Sequence, residues 1–275
     1  MTFHAASREA LAAAELRLLE LVDATTDAAE LSTLGEELFS VVSLLTKQPQ
    51  LRRALGDSSS DRSAREQLVK GLLAGQVSAG TIQVLVAVVT AKWSSPRELV
   101  DGIESLAQTV LLVRSERDDR LDAVEDELFR LGRIVAGSQD LELLLSDHSV
   151  GADRKVALVD SLLVGKVEPV TKTLVDQLVR EPRGSHVVDG LTRLADLAAK
   201  RRERSVAHVL SAVELSAEQQ DRLSATLTRI YSRPIALHVE VDASLAGGLL
   251  IKIGDEVIDG SVAGRLAALR RDLAG

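Results

Sequence analysis

From Ser7 to about residue 204 the apolar positions of this chain recur at intervals of three and four, and beyond Ser205 stretches appear in which they recur at every second position. The first period is that of an amphipathic helix and the second that of a half-buried strand. Ser7 to Val22 carries a stripe at Leu11, Ala14, Leu18 and Leu21, which predicts an opening helix. Leu31, Leu34, Leu38, Val41 and Leu45 continue with the same spacing. Breaks fall near Pro49, near Gly56 to Ser60, near Gly75 to Gly80 and near Ser94-Ser95-Pro96. Proline lacks the amide proton and disfavours helix at the preceding residue, so these points divide the segment into several helices.

The pattern then repeats. Glu37-Leu38-Phe39 returns 90 residues on as Glu127-Leu128-Phe129. Around it, Leu121, Val124, Leu128, Leu131 and Val135 take the places of Leu31, Leu34, Leu38, Val41 and Leu45. Leu68, Val69, Leu72, Leu73, Gly75 and Val77 match Leu158, Val159, Leu162, Leu163, Gly165 and Val167 at the same offset. Val100-Asp101-Gly102 matches Val188-Asp189-Gly190 at an offset of 88, which two deleted loop residues explain. Fixed-period self-similarity of this kind marks a duplicated module, roughly 31–114 and 121–202. Breaks in the second copy fall near Gly137-Ser138, Asp147 to Gly151, Gly165 to Pro169 and Pro182 to Ser185. The opening helix has no separate counterpart there.

After Ser205 a different domain begins. Ser205 to Val213 is rich in Val and Ala and reads as a strand. Ser216 and Gln219 have capping-box spacing ahead of a helix with Leu223, Leu227 and Ile230 on one face. Ile235, Leu237, Val239 and Val241 alternate with polar residues, as do Leu249, Ile251 and Ile253. Gly254-Asp255 fits a tight hairpin turn into Glu256 to Ile258. A last helix is predicted from Val262, Leu266, Leu269 and Leu273. The fold class is therefore mainly α with a small α/β C-terminal domain, the N-terminal helical bundle module being duplicated. The division expected is a helical bundle at 1–114, a second helical module at 115–204 and a small α/β domain at 205–275.

Composition narrows the function. The 275 residues are 45% hydrophobic but only 2% aromatic, so the core is aliphatic and suited to helix packing. A net charge of −8 and few aromatics disfavour nucleic acid, which needs a basic face or stacking platforms. The densest basic run, Lys200, Arg201, Arg202 and Arg204, closes a helical segment, where cations favour the negative end of the dipole. No cysteine is present, which excludes disulfides, thiol catalysis and cysteine-bound zinc. The most apolar stretch, Ile82 to Ala91, is about half the roughly 20 residues that span a bilayer. Membrane association is therefore expected through partners rather than by direct insertion.

A search for catalytic chemistry finds little. No two of His4, His148, His186, His208 and His238 have i, i+4 spacing. His238-Val239-Glu240 looks like part of a deaminase motif that requires cysteines. The acidic clusters Asp118-Asp119 and Asp122 to Glu127 lack the alternating ligands of a calcium loop. There is no phosphate-binding loop, and Gly247, Gly248, Gly254 and Gly260 do not have dinucleotide-binding spacing. No cofactor, metal or catalytic residue is assigned.

The stretch Ile235 to Lys252 resembles the signature of the F-type ATP synthase delta subunit, the family of the mitochondrial oligomycin-sensitivity-conferring protein. Ile235, Leu237, Val241, Asp242, Leu245, Gly247-Gly248, Leu249, Ile251, Lys252 and Gly254 stand in the signature's order. Gly254-Asp255-Glu256-Val257-Ile258-Asp259-Gly260-Ser261 and Gly264-Arg265-Leu266 resemble the segment that follows it in the family. Ser7 to Ala12 only loosely resembles the family's first-helix motif and lacks its usual Tyr. Read from the residues alone, Gly247 and Gly248 permit a tight turn, Lys252 alternates outward and Asp259 caps the last helix through the amide of Ser261 or Val262. Gly247, Gly248, Lys252, Gly254, Asp255, Asp259, Gly260 and Arg265 thus serve the fold or a partner contact.

The resemblance implies a non-catalytic peripheral-stalk, or stator, subunit. In the family a helical bundle binds N-terminal helices of the alpha subunits on the catalytic head, and the C-terminal domain holds the b subunit. It also implies a peripheral position at the cytoplasmic face of a bacterial plasma membrane. The additional helical module is similar to that of actinobacterial members, some of which carry the b chain fused ahead of the delta part. Met1 opens on no membrane helix, so the stand-alone form is expected. Either bundle could receive the alpha helix. The alternative is a generic helical-repeat adaptor.

Overall fold

Asp27 shows how local sequence starts an element. Its extended backbone precedes helix α2 (Ala28–Lys47), and its carboxylate accepts from the Ala29 amide at 2.8 Å. Glu30 in the first turn and Lys47 in the last match the helix dipole. Leu31, Leu38 and Leu45 on its inner stripe are at most 1% exposed. Gln48 ends it, because Pro49 opens α3 (Pro49–Gly56) at a position where no amide proton is needed. The computed structural model describes residues 3–25, 27–147, 149–183, 186–204, 206–231, 235–245, 247–254, 256–262 and 264.

The remaining helices are α1 (Ala5–Ala24), α4 (Arg62–Leu73), α5 (Ala79–Thr90), α6 (Pro96–Arg117), α7 (Leu121–Ala136), α8 (Gln139–Ser146), α9 (Ala152–Leu163), α10 (Pro169–Arg180) and α11 (Val187–Arg204). Helices α8, α9 and α10 begin and end 90 residues after α3, α4 and α5. The breaks thus lie where the prolines, glycines and serines place them. Gly75 and Gly165, with φ of 75° and 73°, make the same left-handed turn in each copy. A remote cap also repeats. The Glu37 carboxylate accepts from the Ser78 amide at 2.9 Å and the Thr81 hydroxyl at 2.5 Å, at the start of α5. Glu127 accepts from the Glu168 amide at 3.0 Å and the Thr171 hydroxyl at 2.5 Å, at the start of α10. Burial alone would raise the Glu37 carboxyl; the hydrogen bonds from Thr81 and Ser78 outweigh it and hold the group below its ordinary value.

Helix α1 has no separate counterpart because α6 fills both roles. It starts 91 residues after α1, and it packs against α2 as the closing helix of the first module and against α7 and α10 as the opening helix of the second. The repeat is not perfect in burial. Phe39 is 4% exposed, whereas its counterpart Phe129 is 57% exposed. Identity at a repeated position fixes the side chain but not what covers it.

The chain divides into two compact units, Met1–Leu194 and Ala195–Gly275, with α11 running across the division. The first unit holds α1 to α10 and the start of α11, and the rest of α11 falls in the second. In the second, β1 (Val206–Ser211), α12 (Ala217–Tyr231), β2 (Ala236–Val241), β3 (Leu249–Ile253) and β4 (Glu256–Asp259) form a sheet of order β2-β1-β3-β4. Strand β1 is parallel to β2 and antiparallel to β3, and β3 pairs antiparallel with β4. Ser216 and Gln219 make the reciprocal capping box, at 2.9 and 3.3 Å. Ala207, Val209, Leu227, Ile235, Ile251 and Ile253 form the core.

Two details differ from expectation. Ile230 is 61% exposed and Tyr231 packs on the core instead. The buried stripe of α12 centres on Leu227, and three residues fall about 60° short of a full turn, which rotates Ile230 toward water. Val241 is also exposed, so the alternation of β2 ends at Val239. His148, Ser205, Asp255, Arg265 and the predicted final helix with Leu266, Leu269 and Leu273 lie outside the described residues.

Candidate functional site

Helices α1 and α5 bury one side each and leave a groove between the other two. Ala14, Leu18 and Val22 of α1, and Leu85, Val88 and Val89 of α5, are buried. Beside them the small side chains of Ala13, Ala24, Ala87 and Ala91, with Leu21 and Val84, line an open channel of about 750 Å3. Arg17, held by Glu20 at 2.7 Å, and Arg62 and Gln83 edge it. A second recess of about 420 Å3 continues from Leu21 past Thr25, Leu34 and Gly80. An apolar channel floored by small residues lets another helix approach closely and bury an apolar face.

The residues at the equivalent positions of the second module differ. The counterparts of Ala13, Arg17 and Leu21 are Ile103, Ala107 and Leu111 of α6, which are 0–2% exposed. Helix α2 covers that side: a Cβ added at Gly35 would lie 2.8 Å from a Leu111 methyl group. On α10 the counterparts of Val86, Ala87 and Thr90 are Asp176, Gln177 and Arg180. Asp176 and Asp160 hold Lys172 at 2.5 and 2.6 Å, so an ion network stands where the first module is apolar.

The two modules meet at Arg183, which lies within the break expected from Pro182 to Ser185. Its φ of 50° is unusual for a residue with a side chain. Its guanidinium is 9% exposed, bridges to Asp101 and reaches Glu104 at 2.8 Å. Its carbonyl accepts from Arg97 at 3.2 Å. Burial pushes the Asp101 and Glu104 carboxyls up, against the pull of Arg183. The residue 90 positions earlier is Trp93, whose indole NH donates to the Val88 carbonyl at 2.8 Å. Replacing Arg183 with Leu leaves two buried carboxylates without their cation, an expected loss of about 3–5 kcal/mol. Adding Asp101→Asn and Glu104→Gln to that variant should restore part of it. Urea denaturation of the three proteins checks this; an unshifted midpoint for Arg183→Leu contradicts it.

The signature residues of the second unit shape the backbone. Gly247 and Gly248 have φ of 137° and 81°, and a Cβ on Gly248 would collide with the Gly260 carbonyl. The Gly260 amide donates to the Leu249 carbonyl at 2.8 Å, and that of Val262 to Gly247 at 2.9 Å. Gly254, φ 57°, turns β3 into β4. Asp259 accepts from the Ser261 amide at 2.9 Å and its hydroxyl at 2.6 Å, bonds that hold its carboxyl below the ordinary value. Lys252 is different: it projects from the exposed face of β3. Among the described residues no group of three or more His, Cys, Asp or Glu could hold a metal ion, and no helix is long and apolar enough to cross a membrane.

Comparison with known proteins shows the family but leaves the α1/α5 groove outside the matched segment. The family described as ATP synthase delta (OSCP) subunit matches residues 107–273, which begin within α6 and run through α11 into the second unit. The ATP synthase subunit delta of Rhodococcus opacus is 47% identical, with 99% of each chain covered. That of Nocardia farcinica is 46% identical over 98% of this chain and 100% of its own. A chain of the solved Toxoplasma gondii mitochondrial ATP synthase hexamer is 22% identical over 61% of this chain and 95% of that one, with a TM-score of 0.32. On the family match and the near full-length identity to the curated relatives, this chain belongs to the ATP synthase delta (OSCP) subunit family.

Proposed function

We propose that the chain is a non-catalytic peripheral-stalk subunit that ties the catalytic head of ATP synthase to the stalk, so that proton-driven rotation is coupled to ATP synthesis. Its place is peripheral, at the cytoplasmic face of the plasma membrane. The helical unit takes the N-terminal helix of an alpha subunit, and the α/β unit takes the b subunit. The observation that carries the head contact is the α1/α5 groove, with its apolar floor of small residues and its open side. The corresponding face of α6 is covered by α2, and that of α10 carries charge. This favours the first module over the second as the helix receiver.

The test places a charge in each position of the repeat. Ala87→Glu puts a carboxylate into the groove, and Gln177→Glu makes the equivalent change in the second module. Ala87→Glu should weaken binding to a delta-depleted catalytic head at least tenfold, about 1.4 kcal/mol, with the circular dichroism spectrum unchanged. Gln177→Glu should bind as the parent chain does. The reverse pattern would assign head binding to the second module.

A further inference from the structure

Helix α1 forms one wall of the groove, and little of its own sequence fixes it there. It buries Ser7, Ala10, Ala14, Leu18 and Val22, of which only the last two are large. Burial is worth about 0.8 kcal/mol per CH2 group, so the alanines contribute little. Its first turn has no acidic residue, its last turn has no basic one, and the His4 side chain does not cap it. The opposite wall is built in. Helix α5 carries the remote cap from Glu37, and the Trp93 indole donates to the Val88 carbonyl near its end.

Helix α6 supplies at both ends what α1 lacks. At the start, the Glu98 carboxylate accepts from the His4 amide at 3.1 Å and lies 2.6 Å from His4 Nδ1. It also accepts from the Ser7 hydroxyl, whose oxygen in turn accepts from the Ser94 amide at 2.9 Å. Burial pushes the Glu98 carboxyl up, but the hydrogen bonds from Ser7 and His4 outweigh it and hold the group below its ordinary value. At the finish, the Arg117 guanidinium donates to the Val22 carbonyl at 2.7 Å and the Thr25 carbonyl at 2.5 Å. An anion thus meets the free amides of α1 and a cation meets its free carbonyls, the arrangement that a helix dipole favours. The bonds at the two ends join residues 94 and 95 positions apart, so α1 and α6 run parallel and in register. The lengths agree as well. Glu98 and Arg117 are about 29 Å apart along a helix axis, and the 20 residues of α1 extend about 30 Å.

We infer that Glu98 and Arg117 are positioning residues of the head-binding groove: they clamp α1 at the spacing from α5 that admits a helix, and releasing either end frees α1 while the bundle stays folded. The inference rests on the proposed function, which seats the alpha helix between α1 and α5. A helix docked there lies against Ala13, Leu21 and Ala24 of α1 as well as Ala87 and Ala91 of α5. A wall that is free to move must be ordered on binding, and that entropy is lost from the affinity.

The test compares Glu98→Ala, Arg117→Ala and Glu98→Gln in the full chain, the last keeping a carbonyl oxygen for the His4 amide. Binding to the delta-depleted head and amide hydrogen exchange are measured on each. Both alanine variants should bind about tenfold more weakly. Exchange in α1 should be about tenfold faster, with exchange in α2 and α6 unchanged. Glu98→Gln should bind within about threefold of the parent. Parental head binding by either alanine variant, or a Glu98→Gln variant as weak as Glu98→Ala, overturns the inference. So does a loss of protection that spreads through α2 and α6, which marks a role in the fold alone. Ala87→Glu in the same assay separates the clamp from the proposed function. If Ala87→Glu binds as the parent does, the groove is not the head contact and both readings fall. If it loses binding while the alanine variants keep theirs, only the clamp falls.

Discussion

Leu38→Asp and Leu128→Asp should each destabilise the helical unit by about 3–5 kcal/mol, the range of severe core lesions and unpaired buried charges. Both leucines are 0% exposed, and both occupy the centre of the repeated stripe, one on α2 and the other on α7. A carboxylate placed there has no cation and no room for water. Against a typical total stability of about 5–15 kcal/mol, either change consumes a large share. The neighbouring phenylalanines sharpen the comparison. Phe39→Asp should also be severe, because Phe39 is buried, whereas Phe129→Asp should stay within about 0.5 kcal/mol of the parent, as exposed positions do. Urea or thermal unfolding of the four variants reads this directly. An unchanged midpoint for Leu38→Asp or Leu128→Asp would mean that the residue faces solvent and that the two stripes are not equivalent.

Much of this was written in periodicity. The stripe through Leu31, Leu38 and Leu45 set the inner face of α2, and Pro49, Gly75, Pro96, Gly165 and Pro169 set where helices stop and start. These signals are local, so they survive without tertiary information. The double use of α6 was not legible. Nothing in its own sequence says that one helix closes a module and opens the next; only the offset of its span from α1, combined with packing on both sides, shows it. Arg183 was hidden for a similar reason. Its role depends on Asp101 and Glu104, about 80 residues away and visible only after folding. A cation standing where the first copy has Trp93 was the one available signal.

The candidate sites divide the same way. The glycine pair, Gly254 and Asp259 could be assigned backbone roles because positive φ and short-range side-chain-to-backbone hydrogen bonds are local properties. The α1/α5 groove could not be read from the chain. Alanine at positions 13, 24, 87 and 91 is unremarkable helix composition until two helices are set side by side. Likewise His208 and His238 are 30 residues apart and show no helical spacing; parallel strand register alone makes them neighbours.

Removing residues 205–275 should abolish coupled ATP synthesis while leaving attachment to the head. The truncated chain ends at Arg204, the last residue of α11, and keeps the whole first unit with its groove. The sheet and the signature turn are lost. A stator resists torque only if it is held at both ends. A head contact without a stalk contact lets the head turn with the rotor, and the proton gradient then does no work at the active sites. On the proposed non-catalytic role, hydrolysis by the detached head should persist.

The decisive measurement pairs two readings on one sample of the 1–204 chain: binding to the delta-depleted head, and proton-driven ATP synthesis in reconstituted membranes. The account predicts near-parental head binding with synthesis reduced to background. Synthesis at the parental rate would contradict it, as would loss of head binding by a truncated chain that circular dichroism shows to be folded.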